Sequence, residues 1–139
     1  MKLDTSISLS FDGQCEEAFK LYEQCLGAKT AFKLTWGDSP MAADAPQHWR
    51  GKINHSTLIL GDIALLGNDA LPGGYQRPLG FDLMLGMNEV EDAERVFAAL
   101  SEGGTVRLPL QETFWAHRFG LVTDRFGIPW GINCEKPAP

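Results

Sequence analysis

Ionisable and aromatic side chains are concentrated in residues 111 to 135, QETFWAHRFGLVTDRFGIPWGINCE. Imidazole and carboxylate groups transfer protons and guanidinium groups bind anions, while indole and phenyl rings line small-molecule pockets. No nucleophile and base occur together in a motif, so the spacing does not predict Ser-His-Asp or Cys-His catalysis. We therefore interpret the stretch as part of a binding surface that is also part of the core.

Alternation along a β-strand divides these candidate residues into two sets, because successive side chains point to opposite faces. One set is Trp115, His117, Phe119 and Leu121, and the other is Phe114, Ala116, Arg118 and Val122. Both sets contain an aromatic ring, so we expect both faces to be covered. The pattern does not say which face lines a pocket. Trp115 is therefore either a core residue or a pocket wall, whereas Trp130 is expected in the core.

Three ionisable groups are candidates for chemistry beyond packing. Arg118 is flanked by aromatic residues and needs an anionic or carbonyl partner, which is either a carboxylate of the same chain or a ligand carboxylate or phosphate. Asp82 and Glu112 are candidate acid or base groups.

The elements that position these residues begin with a strand in TSISLSF, where Ser6, Ser8 and Ser10 form one face. The segment QCEEAFKLYEQCLG then predicts an amphipathic helix that ends at Gly27. Three strands follow in AKTAFKLTW, KINHSTLIL and IALLGN, the last two joined by a tight turn at Gly61 and Asp62.

The second half of the chain repeats this order. GFDLMLGM predicts a strand, NEVEDAERVFAALSEGG a helix, and RLPL another strand, followed by two strands around the turn TDRFG. In that turn we expect Asp124 to accept backbone hydrogen bonds and Gly127 to take a positive φ angle. Sliding the chain by 75 positions places Ala18 on Ala93 and keeps the two helix faces in register. We predict one domain, residues 1–139, of two βαβββ modules at about 1–70 and 78–136.

Three segments carry a family resemblance: SFDGQCEEAFKLYEQCLGA, HSTLILGDIALLGND and ETFWAHRFGLVTDRFGIPWGINCE. They resemble the PhnB-like branch of the glyoxalase, bleomycin resistance and vicinal oxygen chelate superfamily. They cover most of the chain, and the closing string FW-x-x-R-x-G-x-V-x-D-x-FG-x-x-W is the most specific part. The resemblance implies an α+β fold in which two βαβββ modules form a cup-shaped mixed sheet with helices on the outer face.

The PhnB-like branch also carries a 3-demethylubiquinone 3-methyltransferase label. The Gly pairs in LPGGYQ and SEGGT lack the strand and helix context of an adenosylmethionine-binding loop. Methyl transfer is therefore not expected.

Metal-dependent members of the superfamily bind a divalent ion in the cup. The resemblance carries the ligand positions over to Ser6 or Ser8, a residue near Leu66, Asp82 and Gly131. Only Asp82 is a good ligand type, and such a metal needs about three His, Cys or carboxylate ligands. For His55 three interpretations stay open, namely a strand histidine, a polar group of the pocket, or a metal ligand beside Asp82. We expect no metal and no other cofactor.

Two functions follow from these observations. The first is a metal-free module whose aromatic cup binds a small apolar or amphipathic molecule. Its expected binding residues are Trp115, His117, Arg118, Phe119, His55, Ser8 and Asp82. The alternative is a glyoxalase- or dioxygenase-type enzyme in which a divalent metal activates a small oxygenated substrate. The poor ligand set favours the first, and whether the protein is catalytic stays open.

Composition limits the partners. The 12 basic and 18 acidic side chains give a net charge of -6, which argues against nucleic acid or an anionic membrane. No segment approaches the roughly 18 to 20 apolar residues of a membrane span, and the N-terminus lacks an apolar signal region, so we expect a cytoplasmic protein. Strand edges of this fold predict a homodimer, with the loop from Asp38 to Trp49 supplying contacts.

The three cysteines cannot all pair within the chain. We interpret them as ordinary reduced thiols. The alternative concerns Cys15, because a helix N-terminus lowers the pKa of a thiol and makes it reactive.

Overall fold

The computed structural model describes residues 1–137 and divides into two compact units, Met1–Gln76 and a second that begins at Arg77. Each unit contains one α-helix and one four-stranded sheet. The elements of the first unit are β1 (Ser6–Phe11), α1 (Cys15–Leu26), β2 (Lys29–Thr35), β3 (Ile53–Leu60) and β4 (Ile63–Asp69). Those of the second are β5 (Leu83–Gly86), α2 (Val90–Ser101), β6 (Thr105–Gln111), β7 (Ala116–Thr123) and β8 (Pro129–Glu135).

Two short 3-10 helices, Ala42–Asp44 and Gln47–Trp49, lie in the loop between β2 and β3. The loop is fixed to the end of β4, since the indole Nε1 of Trp36 and that of Trp49 each donate a hydrogen bond of 3.0 Å to backbone carbonyls there. Within residues 1–137, no helix combines the length and the apolar content needed to cross a bilayer.

Both sheets have the same strand order, β1-β4-β3-β2 in the first and β5-β8-β7-β6 in the second. In each sheet the first and last strands of the unit pair in parallel and the other neighbours pair antiparallel. This agreement confirms the predicted α+β fold built from duplicated βαβββ modules.

Helix α1 covers one face of the first sheet. The rings of Phe11 on β1 and Phe19 on α1 meet edge-on with centroids 6.0 Å apart. A Cβ at Gly67 on β4 would overlap the Phe19 ring and the Cys15 thiol, so the helix lies as close to the sheet as glycine permits. The serine face of β1 is opposite α1.

A buried carboxylate fixes the start of α1. Asp69 Oδ1 accepts a hydrogen bond of 2.9 Å from the Cys15 backbone N, and Oδ2 accepts one of 2.8 Å from the Ile53 backbone N. The Asp69 side chain thus caps the start of α1, whereas the side chain of Gln14, the residue before the helix, makes no capping hydrogen bond. Burial, and then the charges of Asp69 and Glu16, raise the pKa of the Cys15 thiol. Desolvation and these carboxylates oppose the effect of the helix terminus, so the raised pKa favours the interpretation of Cys15 as an ordinary reduced thiol.

Helix α2 covers one face of the second sheet. Val122 on β7 and Trp130 and Ile132 on β8 are fully buried. A Cβ at Gly120 would overlap the Phe97 ring of α2, which places Gly120 on this same face. Alternation along β7 therefore puts Phe119 and Leu121 on the face opposite α2.

The turn between β7 and β8 forms around Asp124, as predicted. Asp124 Oδ1 accepts hydrogen bonds from the backbone N of Phe126 and of Ile128, at 2.9 and 3.0 Å. Its Oδ2 accepts one of 2.9 Å from Trp130 Nε1. Gly127 has a φ angle of 92°, and Trp130 is a core residue. Both predictions are confirmed.

Candidate functional site

We call the face of the second sheet opposite α2 the distal face. It is formed by Phe119, Leu121 and Thr123 on β7, Met84 on β5, and Gly131 and Asn133 on β8. Pairing of Phe119 with Asn133 and of Leu121 with Gly131 shows that β7 and β8 contribute side by side. A Cβ at Gly131 would overlap Met84 and touch Leu121, so these two apolar side chains meet over the glycine. The centre of the distal face is therefore apolar.

Three aromatic rings form a cluster at one end of the distal face. The Trp115 ring lies edge-on to Phe119 with centroids 5.2 Å apart, and the Phe114 ring lies edge-on to Trp115 at 4.8 Å. Trp115 is 41% exposed and Phe114 is 90% exposed. Aromatic area that is left exposed in a cluster is typical of a binding surface.

Backbone and side-chain hydrogen bonds hold this cluster in place. The Thr113 backbone N donates to the Ala116 carbonyl and the Ala116 N donates to Thr113 Oγ1, each at 3.0 Å, while the Lys136 N donates to the Trp115 carbonyl at 3.1 Å. Phe114 and Trp115 thus lie in a turn before β7, which begins at Ala116. This turn takes Phe114 out of the strand alternation, so the expectation that Phe114 is covered was wrong. Trp115 contacts Phe119, with which it was expected to share a face.

His117 and Arg118 lie at an irregularity of β7. The pairing with β8 shifts register between Ala116 and Arg118, so His117 is an extra residue in the strand. The Arg118 guanidinium pairs with Glu94 of α2 at 3.2 Å and donates to the His117 carbonyl at 2.6 Å. Arg118 therefore points towards α2 and has a carboxylate of the same chain as its partner, the first of the two alternatives.

Ser8 and His55 lie on the face of the first sheet opposite α1. Ser8 pairs with Leu66, which pairs with Thr57, so β4 separates Ser8 from β3. The His55 ring is 5.8 Å from the Phe32 ring, and its Nε2 is 3.5 Å from Thr57 Oγ1. The structure therefore brings Ser8 and His55 to one face without placing them in contact.

Asp82 lies immediately before β5 and forms an ion pair with Arg107 of β6. The same Arg107 nitrogen, Nη2, lies 3.4 Å from the carbonyl oxygens of Val122 and Trp130. The side chain thus crosses β7 and β8. Sequence patterns do not reveal this role, because a single arginine in an exposed strand segment resembles any solvated residue.

Glu112 is an exposed carboxylate beside the aromatic cluster. Its Oε2 is 3.2 Å from Lys136 Nζ. The hydrogen bond from Lys136 and its charge lower the pKa of Glu112, with smaller contributions from His117 and Arg118. A general base is most effective when its pKa lies near the working pH, so this shift does not favour a role in proton transfer.

The metal positions implied by the superfamily do not fit a divalent ion. Leu66 and Gly131 offer no donor atom, Met84 fills the space into which a side chain at 131 would project, and Asp82 is paired with Arg107. Over residues 1–137, no three His, Cys, Asp or Glu side chains form a group that could hold a metal. No chemical step is therefore assigned to a metal.

Asn133 is a further residue of the distal face that the sequence did not single out. Its Nδ2 donates to Glu135 Oε1 at 3.2 Å, whereas its buried Oδ1 has no hydrogen-bond partner within residues 1–137. Buried polar atoms of this kind are uncommon and require an explanation. Only its position opposite Phe119 distinguishes it, and that register is not visible in the sequence.

Comparison with known proteins identifies the family of the chain. The family model described as the Glyoxalase/Bleomycin resistance protein/Dioxygenase superfamily matches residues 8–132. Protein YjdN of Escherichia coli strain K12 is 37% identical over 139 residues, which span 94% of this chain and 95% of YjdN.

Two solved structures share the fold. Protein PA1353 from Pseudomonas aeruginosa is 42% identical with a TM-score of 0.87, covering 98% of this chain and 100% of that chain. The PhnB protein from Bacillus cereus is 18% identical with a TM-score of 0.78, covering 94% and 98%. At that identity the second likeness concerns the fold alone. The family match and the YjdN alignment show that this chain belongs to the Glyoxalase/Bleomycin resistance protein/Dioxygenase superfamily.

Proposed function

We propose that this protein binds a small apolar or amphipathic molecule on the distal face of the second sheet. The observation that carries the proposal is the cluster of Phe114, Trp115 and Phe119, in which Phe114 and Trp115 are exposed. The hydrogen bonds around Thr113 fix the turn that carries it, so little conformational entropy is lost when a ligand packs against the rings. Core packing does not account for Phe114, which is 90% exposed.

The unpaired oxygen of Asn133 supports a polar contact in the same place. The amide oxygen has almost no accessible surface, so a hydroxyl or N–H group of a ligand reaches it only after the side chain rotates, and the contact then recovers the roughly 1–3 kcal/mol that a buried acceptor without a donor costs. Asn133 is the pairing partner of Phe119, so such a donor would lie beside the ring cluster. A ligand with an apolar body and at least one polar group fits this arrangement.

Aromatic substitutions test the proposed site, with 2-naphthamide as a neutral probe and calorimetry as the readout. Phe114→Ala should weaken binding by on the order of 1 kcal/mol and Trp115→Ala by about 1–3 kcal/mol, through lost contact area. Phe32→Ala is the matched control, because Phe32 is a half-exposed aromatic residue of the first unit.

Stability is measured beside affinity to separate binding from packing. Phe114→Ala should change the free energy of unfolding by no more than about 0.5 kcal/mol, because the side chain is almost fully exposed. Equal affinities of wild type, Phe114→Ala and Trp115→Ala would refute the site. So would a loss of binding confined to Phe32→Ala.

We also propose that binding occurs without a transition metal. The support is the chemistry of the implied positions, where leucine and glycine stand in place of ligands and Asp82 is held by Arg107. Protein purified without chelator should contain no stoichiometric metal, and added Zn, Ni, Fe or Mn should leave its melting temperature unchanged. A specific metal at 100 times its Kd adds about 2.7 kcal/mol, so a shift of several degrees would favour the metal-dependent enzyme instead.

A homodimer is proposed as the state of the protein in solution. The support is the two edge strands of each sheet, β1 and β2 in the first and β5 and β6 in the second, since a symmetric partner commonly covers strand edges. Sedimentation should give a species of about twice the 15.3 kDa chain mass at micromolar concentration. A species at the chain mass alone would contradict this.

A further inference from the structure

A pocket at the opposite end of the distal face from the aromatic cluster combines cations with apolar walls. Its volume is about 190 Å³, and its lining includes Arg77, Leu79, Phe81, Arg107, Thr123 and Pro129. Two arginines and, among residues 1–137, no acidic residue line it. Counting the Asp82 carboxylate that pairs with Arg107, the local balance is one positive charge in a chain of net charge -6. Such a local excess favours anions.

Arg107 is positioned so that part of its guanidinium is left available. Nη2 makes the contacts with Asp82 and with the carbonyl oxygens of Val122 and Trp130. Nε and Nη1 form no hydrogen bond with any other residue between 1 and 137, and the side chain is 34% exposed. A guanidinium carries five N–H donors, so several remain for a ligand in a group whose orientation is already fixed.

The pocket and the aromatic cluster lie on the same face. Thr123 pairs with Pro129 on one side and Thr105 on the other, and it is four residues along β7 from Phe119. At about 3.3 Å per residue, the two ends are about 13 Å apart. Leu121 lies between them, so an apolar strip connects the arginine to the rings.

We propose that the ligand of this face is a small amphipathic anion, a carboxylate or similar oxyanion on an apolar body, and that Arg107 binds its charged end. The pocket is smaller than the roughly 300–1,000 Å³ that enclose a whole drug-sized ligand, so it holds the charged end only. The apolar body extends over Leu121 towards Phe119. This inference rests on the proposed function and adds the chemical class of the ligand.

Two probes with the same apolar body and different charge test the inference. Calorimetry at low salt compares 2-naphthoate, an anion, with 2-naphthamide, which is neutral. Wild-type protein should bind the naphthoate at least tenfold more tightly. Arg107→Met should weaken naphthoate binding by about 10- to 100-fold and change naphthamide binding by less than about threefold, because only the anion uses the guanidinium. Arg107→Lys should fall between, since an ammonium keeps the charge without the fork of donors.

A second pair of variants separates anion binding from a merely structural ion pair. Asp82→Asn should strengthen naphthoate binding, because it removes the carboxylate that competes for the guanidinium. Arg95→Met is the matched control, since it removes the same charge from the exposed surface of α2, and it should leave both probes unaffected. A structural ion pair predicts instead that Arg107→Met and Asp82→Asn lower stability alike and keep the ratio of the two affinities constant.

The outcomes also distinguish this inference from the proposed function. Equal affinity of both probes for wild type, with a ratio that Arg107→Met does not alter, overturns the anionic ligand and leaves the binding face intact. If neither probe binds, both the proposed function and the anionic ligand are overturned. If Arg107→Met does not fold, Arg107→Lys and Asp82→Asn decide the question through the same ratio.

Discussion

Replacing Asp124 with alanine should destabilise the second unit more than any change on its surface. The carboxylate accepts three hydrogen bonds of 2.9–3.0 Å, from the backbone N of Phe126 and of Ile128 and from the indole of Trp130. Asp124 is 3% exposed. Losing a hydrogen bond to a charged group costs about 1.5–3 kcal/mol, and water entering the new space recovers part of that. We therefore expect Asp124→Ala to lower the free energy of unfolding by about 3–5 kcal/mol.

Asp124→Asn and Trp130→Phe resolve this loss into its parts. Asparagine keeps an oxygen for the two backbone donors but turns an NH2 group towards the indole, which predicts a smaller loss of about 1–2 kcal/mol. The double variant should lose less than the sum of the two single ones, because both remove the same bond. Urea unfolding followed by far-UV circular dichroism avoids the tryptophan signal. A loss below about 1 kcal/mol for Asp124→Ala would refute the role of the carboxylate.

Three further predictions concern other buried and paired groups. In native protein, iodoacetamide at pH 8 should modify none of the three cysteines, because all are buried and the pKa of Cys15 is raised; rapid labelling of Cys15, read by mass spectrometry, would contradict this. Lys33 Nζ forms an ion pair of 3.2 Å with Glu16 Oε2, and Lys33→Met should lower the free energy of unfolding by about 0.2–1 kcal/mol at neutral pH. The hydrogen bond from Lys33 lowers the pKa of Glu16, so the ion pair stabilises the protein at pH values above the unfolded-state pKa of about 4.3. The effect of Lys33→Met should disappear as the pH falls through the lowered pKa. An effect that persists at lower pH would be evidence against the ion pair. Asn133→Leu should leave the urea midpoint unchanged or raise it, since it removes an unpaired buried acceptor, and a loss above about 1 kcal/mol would mean that the oxygen has a partner.

Local patterns predicted the fold because each one specifies its own element. Alternating serines gave β1, the apolar spacing after Gln14 gave α1, and Gly27 ends that helix with a φ of 69°. The repeat of the same order in the second half then predicted two equivalent sheets. None of these inferences depends on a contact between distant residues.

The candidate site was less predictable because it depends on register and on partners distant in sequence. The orientation of the Arg107 guanidinium depends on its ion pair with Asp82, 25 residues earlier, and that of Arg118 depends on Glu94 of α2. The turn at Thr113 shifts Phe114 out of the strand, which alternation does not reveal. The aromatic composition of the stretch was therefore visible in the sequence, whereas the position of Arg107 at the other end of the same face was not.

A titration of 15N-labelled protein with 2-naphthoate, followed by two-dimensional NMR, tests most directly whether the distal face is the binding surface. The account predicts that the largest shifts occur at the Trp115 indole N–H, the amides of Phe119 and Leu121, and the Arg107 side chain. The amides of α2 on the opposite face should change least. The largest shifts on α1 or α2, or no shift at saturating probe, would contradict the account.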